Sequence, residues 1–289
     1  MQIINTVAAL RERLAEETNI VFVPTMGNLH AGHINLVARA KQQSAANQHP
    51  CVVVSIFVNP LQFGANEDLA SYPRTLEADC EKLKLAGADI VFSPEVRELY
   101  PDFNAKTANL GQTMTITPPP IADELCGAAR SGHFVGVATV VLKLFNIVQP
   151  TTAIFGKKDF QQLFIIRELV RQFNLPINII GADTVREADG LAMSSRNGYL
   201  TIEQRIKAAE LQNNLAQVVH QLQTSKLSFL GAEQQAIQKL TAQGWVVDYV
   251  SIRAASTLRA AQSADKVLVV LGAARIGKTR LIDNIEFLV

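Results

Sequence analysis

Residues 20–33 read Ile20-Val21-Phe22-Val23-Pro24-Thr25-Met26-Gly27-Asn28-Leu29-His30-Ala31-Gly32-His33, and this stretch decides the fold. Its first half is an apolar run typical of a strand that is buried on both faces. A helix-like run begins at Ile34, so the order is strand, turn and helix. In an open α/β sheet such a turn lies at the carboxyl edge, where these folds bind ligands.

The two histidines of this turn suit an anionic ligand such as a phosphate group. Gly32 lets a ligand approach the backbone closely, and the start of the next helix offers free N–H groups. The imidazoles of His30 and His33 can donate hydrogen bonds to phosphate oxygens, and they carry positive charge if protonated. From this motif alone, two surface histidines beside a turn or a zinc site stay open. No neighbouring Cys, Asp or Glu completes a zinc ligand set.

The chain beyond this turn predicts two domains. Short apolar strands alternate with amphipathic helices through residues 1–183, which predicts an α/β, Rossmann-like nucleotide-binding catalytic domain with a parallel sheet and helices on both faces. Strands are predicted at 52–58, 90–92, 153–155 and 177–180, and helices at 76–86, 134–147 and 160–173. Residues 184–289 predict a smaller α+β domain with an antiparallel sheet, which carries a Ser-Ser-Arg loop at its start.

Within this C-terminal domain we expect one long helix over 201–223, begun by a capping box of Thr201 and Glu203, and a second helix over 232–243. Strands are predicted at 245–252, 266–271 and 281–287. Residues 272–279, Gly-Ala-Ala-Arg-Ile-Gly-Lys-Thr, also fit the P-loop pattern of ATPases. A P-loop needs a following helix, yet only ten residues remain after Thr279 and they alternate like a strand. We therefore expect a glycine-containing hairpin there.

Composition excludes several classes of function. The 289 residues are 48% hydrophobic with a formal net charge of +1, so no global field attracts nucleic acid or an acidic membrane. The cysteines Cys51, Cys80 and Cys126 form no CxxC pair, which favours reduced thiols in the cytoplasm. We expect no signal peptide, and no apolar run approaches the roughly 20 residues of a membrane span.

Three further clusters support a nucleotide site. Gln62 follows a strand end and can hydrogen-bond a small hydroxy acid. Lys157 and Lys158 lie between a strand and the start of a helix, where positive charge is unfavourable for the helix dipole. A bound polyphosphate would explain why two lysines lie there. Two hydroxyls and a guanidinium in Ser194-Ser195-Arg196 can hold terminal phosphates. Each cluster also has an ordinary interpretation as a solvated loop.

These motifs together resemble a known family. His30-Ala31-Gly32-His33 and Met193-Ser194-Ser195-Arg196 are similar to the HxGH and KMSKS-like signatures of the nucleotidyltransferase superfamily. The closer resemblance is to the pantothenate synthetase (pantoate–β-alanine ligase) family, whose motif order is matched by residues 24–33, 57–63, 72–75, 132–134, 155–162 and 194–200. The C-terminal tail resembles that family only loosely.

The resemblance implies ATP-dependent condensation of (R)-pantoate with β-alanine, through a pantoyl adenylate, to give pantothenate, AMP and pyrophosphate. It also implies Mg²⁺, a homodimer and a cytoplasmic location. His33, His30, Lys158 and Arg196 would be catalytic. The implied ATP contacts are Met26, Gly27, Asn28, Leu29, His30, Ala31, Gly32, His33, Gly156, Lys157, Lys158, Asp159, Val185, Met193, Ser194, Ser195 and Arg196. Gln62 and Gln162 would bind pantoate, Gln62 would also meet β-alanine, and Asp79 would contact Mg²⁺.

The sequence departs from the family pattern at two positions. Ala31 replaces an acidic residue that is common inside HxGH, and Lys157 stands where Glu is usual. Two rival functions stay open: another adenylyl or cytidylyl transferase on this fold, and a non-catalytic nucleotide-binding regulator. The pairing of Gln62 with Gln162 argues against the first, and the retained histidines, lysine and arginine argue against the second.

Overall fold

The computed structural model describes residues 1–43, 49–64, 67, 69–225 and 227–288. Within these residues, six strands form a parallel sheet in the order β1-β4-β3-β2-β5-β6. The strands are β1 (Gln2–Ile4), β2 (Ile20–Thr25), β3 (Cys51–Ile56), β4 (Ile90–Phe92), β5 (Thr152–Gly156) and β6 (Asn178–Ala182). The predicted Rossmann-like sheet is confirmed, with strand ends shifted by one or two residues.

Helices cover both faces of this sheet because its strands are apolar on both sides. They are α1 (Val7–Leu14), α2 (Ala31–Lys41), α3 (Leu76–Ala86), α4 (Val96–Leu99), α5 (Cys126–Ala129), α6 (His133–Val148) and α7 (Phe160–Gln172). Phe22 of β2 packs in one core with α1, α6 and α7, while its neighbour Val21 packs in a second core with α2 and α3. This alternation follows the two-residue period of a strand.

The chain order places a crevice at the centre of the sheet. From β2 the chain moves outward through β3 and β4, whereas β5 and β6 lie on the other side of β2. The loops after β2 and β5 therefore leave the sheet in opposite directions at their carboxyl ends. Such a switch point is where open α/β sheets bind ligands.

The C-terminal region forms an antiparallel sheet of β7 (Val246–Ala254), β8 (Val267–Ile276) and β9 (Thr279–Leu288). It is covered by α9 (Glu210–Thr224) and α10 (Phe229–Ala242), and the short helix α8 (Ile202–Lys207) precedes them. Residues 272–276 lie in β8 and Gly277 turns into β9 with φ of 59°, so the predicted hairpin is confirmed. Residues 272–279 match the P-loop sequence pattern, but they lead into strand β9 and not into the helix that a P-loop needs. The predicted boundary at residue 183 lies one residue beyond β6 and stays a prediction.

The prediction of one helix over 201–223 is wrong. The helix breaks at Ala208 and Ala209, which are buried, whereas α8 before them is exposed or half-buried along its length. The chain turns there so that only α9 packs its apolar side on the sheet. The capping box also differs, because it is formed by Thr201 and Gln204, whereas Glu203 only accepts a hydrogen bond from the Thr201 hydroxyl at 3.0 Å.

No helix in the described part of the chain is long and apolar enough to cross a membrane.

Candidate active site

The two motif histidines begin α2 and cap it with their own side chains. The helix starts at Ala31, three residues earlier than the sequence predicts, and His30 is its N-cap. His30 Nδ1 accepts from the N–H of Gly32 at 3.1 Å, and His33 Nδ1 accepts from the N–H of His30 at 3.3 Å. Because each Nδ1 is an acceptor, each neutral ring carries its hydrogen on Nε2. The ring centroids are 4.1 Å apart, so two N–H donors stand side by side.

Both rings are neutral at physiological pH. Burial, followed by the charge of Lys158, lowers the pKa of His30 to about 4. Burial, followed by His30 and Lys158, lowers the pKa of His33 to about 3. The positive charge considered from the sequence is therefore absent from both rings, which act as uncharged hydrogen-bond donors.

Asp79 shapes the loop between β2 and these histidines. Its carboxylate, on α3, is 0% exposed and accepts from the N–H groups of Asn28 and Leu29, both at 2.8 Å, and from Thr75 Oγ1 at 3.0 Å. Gly27 has a φ of 82°, and a Cβ there would meet Asp79 Oδ2 at 3.2 Å. The predicted Mg²⁺ contact at Asp79 does not fit this geometry, because the buried oxygens are already committed to the loop.

A central cleft lies between this loop, the end of β5 and the Ser-Ser-Arg loop. The predicted residues that line it are Met26, His30, Gly32, His33, Gly156, Lys158, Asp159, Gln162, Val185, Met193, Ser194, Ser195 and Arg196. The cleft thus joins two imidazole donors, one ammonium, one guanidinium and two hydroxyls. Groups of this kind stabilise negative charge on a phosphoryl centre.

The other predicted ATP contacts have different surroundings. Leu29 is buried in the core beside α2, and Asn28 donates its N–H to Asp79, while Ala31 is exposed on the first turn of α2. Lys157 extends to Asp183 at 3.0 Å and Glu286 at 2.7 Å, and these two carboxylates raise its pKa. The expected extra charge beside the phosphates is therefore already paired, which explains how a lysine is accommodated there.

A side pocket opens from the central cleft and shares Met26, His33, Gln162 and Arg196 with it. Gln62 adds a buried carboxamide, so the structure brings Gln62 and Gln162 to one pocket. The facing wall is apolar and comes from Phe155 and from α6 residues Val137, Val140, Val141 and Leu144. This combination suits a small molecule with a branched hydrocarbon part and a few polar groups.

Sequence reasoning gave no role to Asn59, Arg130 and His133, which also line the side pocket. Arg130 pairs with both oxygens of Glu67 at 2.7 Å and contacts His133 Nε2 at 2.9 Å. His133 Nδ1 in turn donates to the backbone oxygen of Gln62 at 2.9 Å. The available signal was the position of His133 within a family segment, but its partner lies 71 residues away.

The C-terminal region binds the backbone of the loop that carries Lys157 and Lys158. Asn284 of β9 donates to the backbone oxygens of Lys157 and Lys158 at 3.0 and 2.9 Å. Its neighbour Asp283 is fixed by a two-pronged contact with Arg186 at 2.6 and 2.9 Å. The cleft therefore depends on contacts from both halves of the chain.

The site can be compared with known proteins. The family model of pantoate-beta-alanine ligase matches residues 2–286. The pantothenate synthetase of Methylobacillus flagellatus is 62% identical over 287 residues, which covers 99% of both chains. The pantothenate synthetase of Thiobacillus denitrificans is 54% identical over 287 residues, covering 99% of this chain and 97% of the relative.

Solved structures agree with these relatives. Pantothenate synthetase from Thermus thermophilus has a TM-score of 0.89 and 42% identity, covering 99% of each chain. Pantoate-beta-alanine ligase from Francisella tularensis, complexed with beta-gamma ATP and beta-alanine, has a TM-score of 0.77 and 34% identity, covering 100% of this chain and 97% of that one. Since sequence and fold agree along the whole length, the chain belongs to the pantoate–β-alanine ligase family.

Proposed function

We propose that the central cleft binds ATP and the side pocket binds pantoate, so that their reacting groups meet beside His33. The chain is an ATP-dependent ligase that condenses pantoate with β-alanine to give pantothenate, AMP and pyrophosphate. The observation that carries the site assignment is the continuity of the two cavities. His33, Gln162 and Arg196 line both, so a phosphate in the cleft and a hydroxy acid in the side pocket would lie next to each other.

In the first half-reaction a carboxylate oxygen of pantoate attacks the α-phosphorus of ATP, and the bond to pyrophosphate breaks. Negative charge increases on the phosphoryl oxygens during this step. The Nε2–H groups of His30 and His33, with Lys158 and Arg196, stabilise that charge, while Ser194 and Ser195 hold the outer phosphates. The two imidazole donors are already placed by the start of α2, so they need little reorganisation when ATP binds.

In the second half-reaction the amine of β-alanine attacks the acyl carbon of pantoyl adenylate, and AMP leaves. Gln62 and Gln162 hold the pantoyl part through amide hydrogen bonds, and Gln62 also meets β-alanine. The apolar wall of α6 packs on the hydrocarbon part and excludes water, which would otherwise hydrolyse the mixed anhydride.

Mg²⁺ fits this site as a companion of ATP. The described residues contain no group of three or more His, Cys, Asp or Glu that could hold a metal by themselves. Mg²⁺ commonly binds substrate phosphates with only one or two protein carboxylates, and Asp159 lines the cleft beside Lys158. Asp159 would hold the ion in place of Asp79, and the ion would neutralise phosphate charge.

We extend the family assignment to a homodimer in the cytoplasm. The support is the family itself, the unpaired cysteines and a net charge that favours no membrane or nucleic acid. Light scattering after gel filtration tests the dimer, which predicts about 63 kDa for two chains of 31.5 kDa. A single peak at the mass of one chain would refute it.

The assignment of the two ligands is tested by calorimetry on Gln162→Ala. A lost hydrogen bond to a charged partner costs about 1.5–3 kcal/mol, so pantoate affinity should fall roughly ten- to a hundredfold while ATP affinity is kept. Gln172→Ala, at the exposed end of the same helix, is the matched control and should bind both ligands normally. Unchanged pantoate affinity in Gln162→Ala excludes this residue from the pocket, and equal weakening of both ligands contradicts the division into two subsites.

A further inference from the structure

Tyr100 is a buried polar residue that the reaction described above does not use. It follows α4, is 1% exposed, and its hydroxyl lies 2.6 Å from Asn59 Oδ1. This contact links two positions 41 residues apart, one of which lines the side pocket. The short distance in a buried setting indicates a well-formed hydrogen bond.

The orientation of the Asn59 amide is fixed by the backbone around it. One end lies 3.3 Å from the N–H of Leu61, which can only donate, so that end is Oδ1. The other end lies 3.2 Å from the carbonyl oxygen of Gly136, which can only accept, so that end is Nδ2. Helix α6 comes this close because position 136 is glycine: a Cβ there would lie 2.4 Å from the oxygen of Leu61.

The Asn59 orientation determines that of Gln62. Asn59 Nδ2 is 3.1 Å from Gln62 Oε1, and because Nδ2 only donates, the facing atom must be the oxygen. The NH₂ group of Gln62 is therefore the end left for the pocket, where it lies 3.3 Å from Met26 Sδ. Towards a ligand in the side pocket, Gln62 therefore presents its NH₂ group, which is a donor.

The same reasoning fixes the direction of the Tyr100 hydrogen bond. Asn59 Oδ1 has no hydrogen, so the Tyr100 hydroxyl must donate. Burial raises the pKa of Tyr100 well above its ordinary value, so this proton stays in place throughout the working pH range. The phenol ring is held by Phe57 at 6.3 Å and by Lys143 Nζ at 4.9 Å from its centroid.

We propose that Tyr100 is a positioning residue for the ligase reaction: through Asn59 it holds Gln62 with its NH₂ group towards the pantoate pocket. This rests on the proposed role of Gln62 as a ligand of pantoate. The chain of bonds runs in one direction, from the Tyr100 hydroxyl to Asn59 and from Asn59 to Gln62. It selects a substrate that presents an acceptor, such as a carboxylate or hydroxyl oxygen, to Gln62.

Steady-state kinetics of Tyr100→Phe, alone and combined with Gln62→Ala, test the relay. Removing one buried neutral hydrogen bond should raise the KM for pantoate about fivefold, with the KM for ATP unchanged. In the Gln62→Ala background the same substitution should add nothing, because the group that it positions is gone. Tyr249→Phe removes the hydroxyl of a half-buried tyrosine, which contacts Cys126, and is the matched control. It should leave the KM for pantoate unchanged even if its melting temperature falls.

The outcomes separate the relay from the role of Gln62. If Gln62→Ala weakens pantoate but Tyr100→Phe does not, the relay is refuted and the pocket assignment survives. If Tyr100→Phe raises the KM equally in both backgrounds, or raises it for ATP as well, Tyr100 acts by another route and the relay is refuted. If Gln62→Ala leaves the KM for pantoate unchanged, both the proposed role of Gln62 and the relay fail.

Discussion

Replacing Asp79 by asparagine is predicted to destabilise the loop that leads to His30. The carboxylate of Asp79 accepts three hydrogen bonds, two of them from neighbouring backbone N–H groups at 2.8 Å. Asparagine has almost the same shape but only one acceptor oxygen. In the variant, one backbone N–H therefore faces an NH₂ group in a site that is closed to water.

The size of the effect follows from these contacts. A hydrogen bond to a charged group contributes about 1.5–3 kcal/mol, and a buried donor left unsatisfied carries a similar cost. These two contributions overlap, so we expect the free energy of unfolding to fall by about 3 kcal/mol. ATP affinity should fall as well, because the loop positions His30 and the start of α2.

Urea denaturation of the wild type, Asp79→Asn and Glu81→Gln measures this change. Glu81 lies on the same helix and is exposed, so its substitution should leave the unfolding free energy nearly unchanged. A Mg²⁺ titration of activity supplies the second reading. If Asp79→Asn were as stable as the wild type but required far more Mg²⁺, Asp79 would be a metal contact and the loop argument would be wrong.

The cleft and the C-terminal hairpin should respond differently to alanine. His33→Ala should lower turnover by roughly a hundredfold or more, as the loss of a preorganised donor does, and near-normal turnover in a folded variant would remove His33 from the mechanism. Lys278→Ala should leave ATP affinity and turnover at wild-type levels. Loss of ATP binding in this variant would indicate that ATP binds at the P-loop-like segment and not in the cleft. Burial, followed by Arg130, lowers the pKa of His133 to about 4, so the unfolded chain binds more protons between pH 6.5 and 4. Stability from His133 is therefore complete above about pH 6.5 and is lost as the pH falls towards 4. His133→Asn should flatten the fall in melting temperature over that range, and an unchanged slope would contradict the pKa.

The parallel sheet could be predicted from sequence because its signal is local. Four consecutive apolar residues in β2 are buried on both faces, and the turn after them carries the histidines. The cleft could be predicted as well, since residues after β2 and β5 must meet at one edge of the sheet. The parallel topology alone is enough to predict that these motifs, which are distant in sequence, lie together.

The features that sequence does not reveal depend mostly on partners far apart in the chain. Asp79 looks like an ordinary acidic residue in the first turn of a helix, and only the fold brings it to Asn28 and Leu29, about fifty residues away. Lys157 is paired with Glu286 across the two halves of the chain. The neutral state of the histidines depends on burial, which composition does not reveal.

Exchange of labelled pyrophosphate into ATP reports directly on the formation of pantoyl adenylate in the cleft. If the cleft activates pantoate as an adenylate before β-alanine acts, exchange requires pantoate and proceeds without β-alanine. His33→Ala should suppress this exchange, and Lys278→Ala should retain it. Exchange that appears only after β-alanine is added, or that proceeds equally without pantoate, would contradict the adenylate mechanism and its place in this cleft.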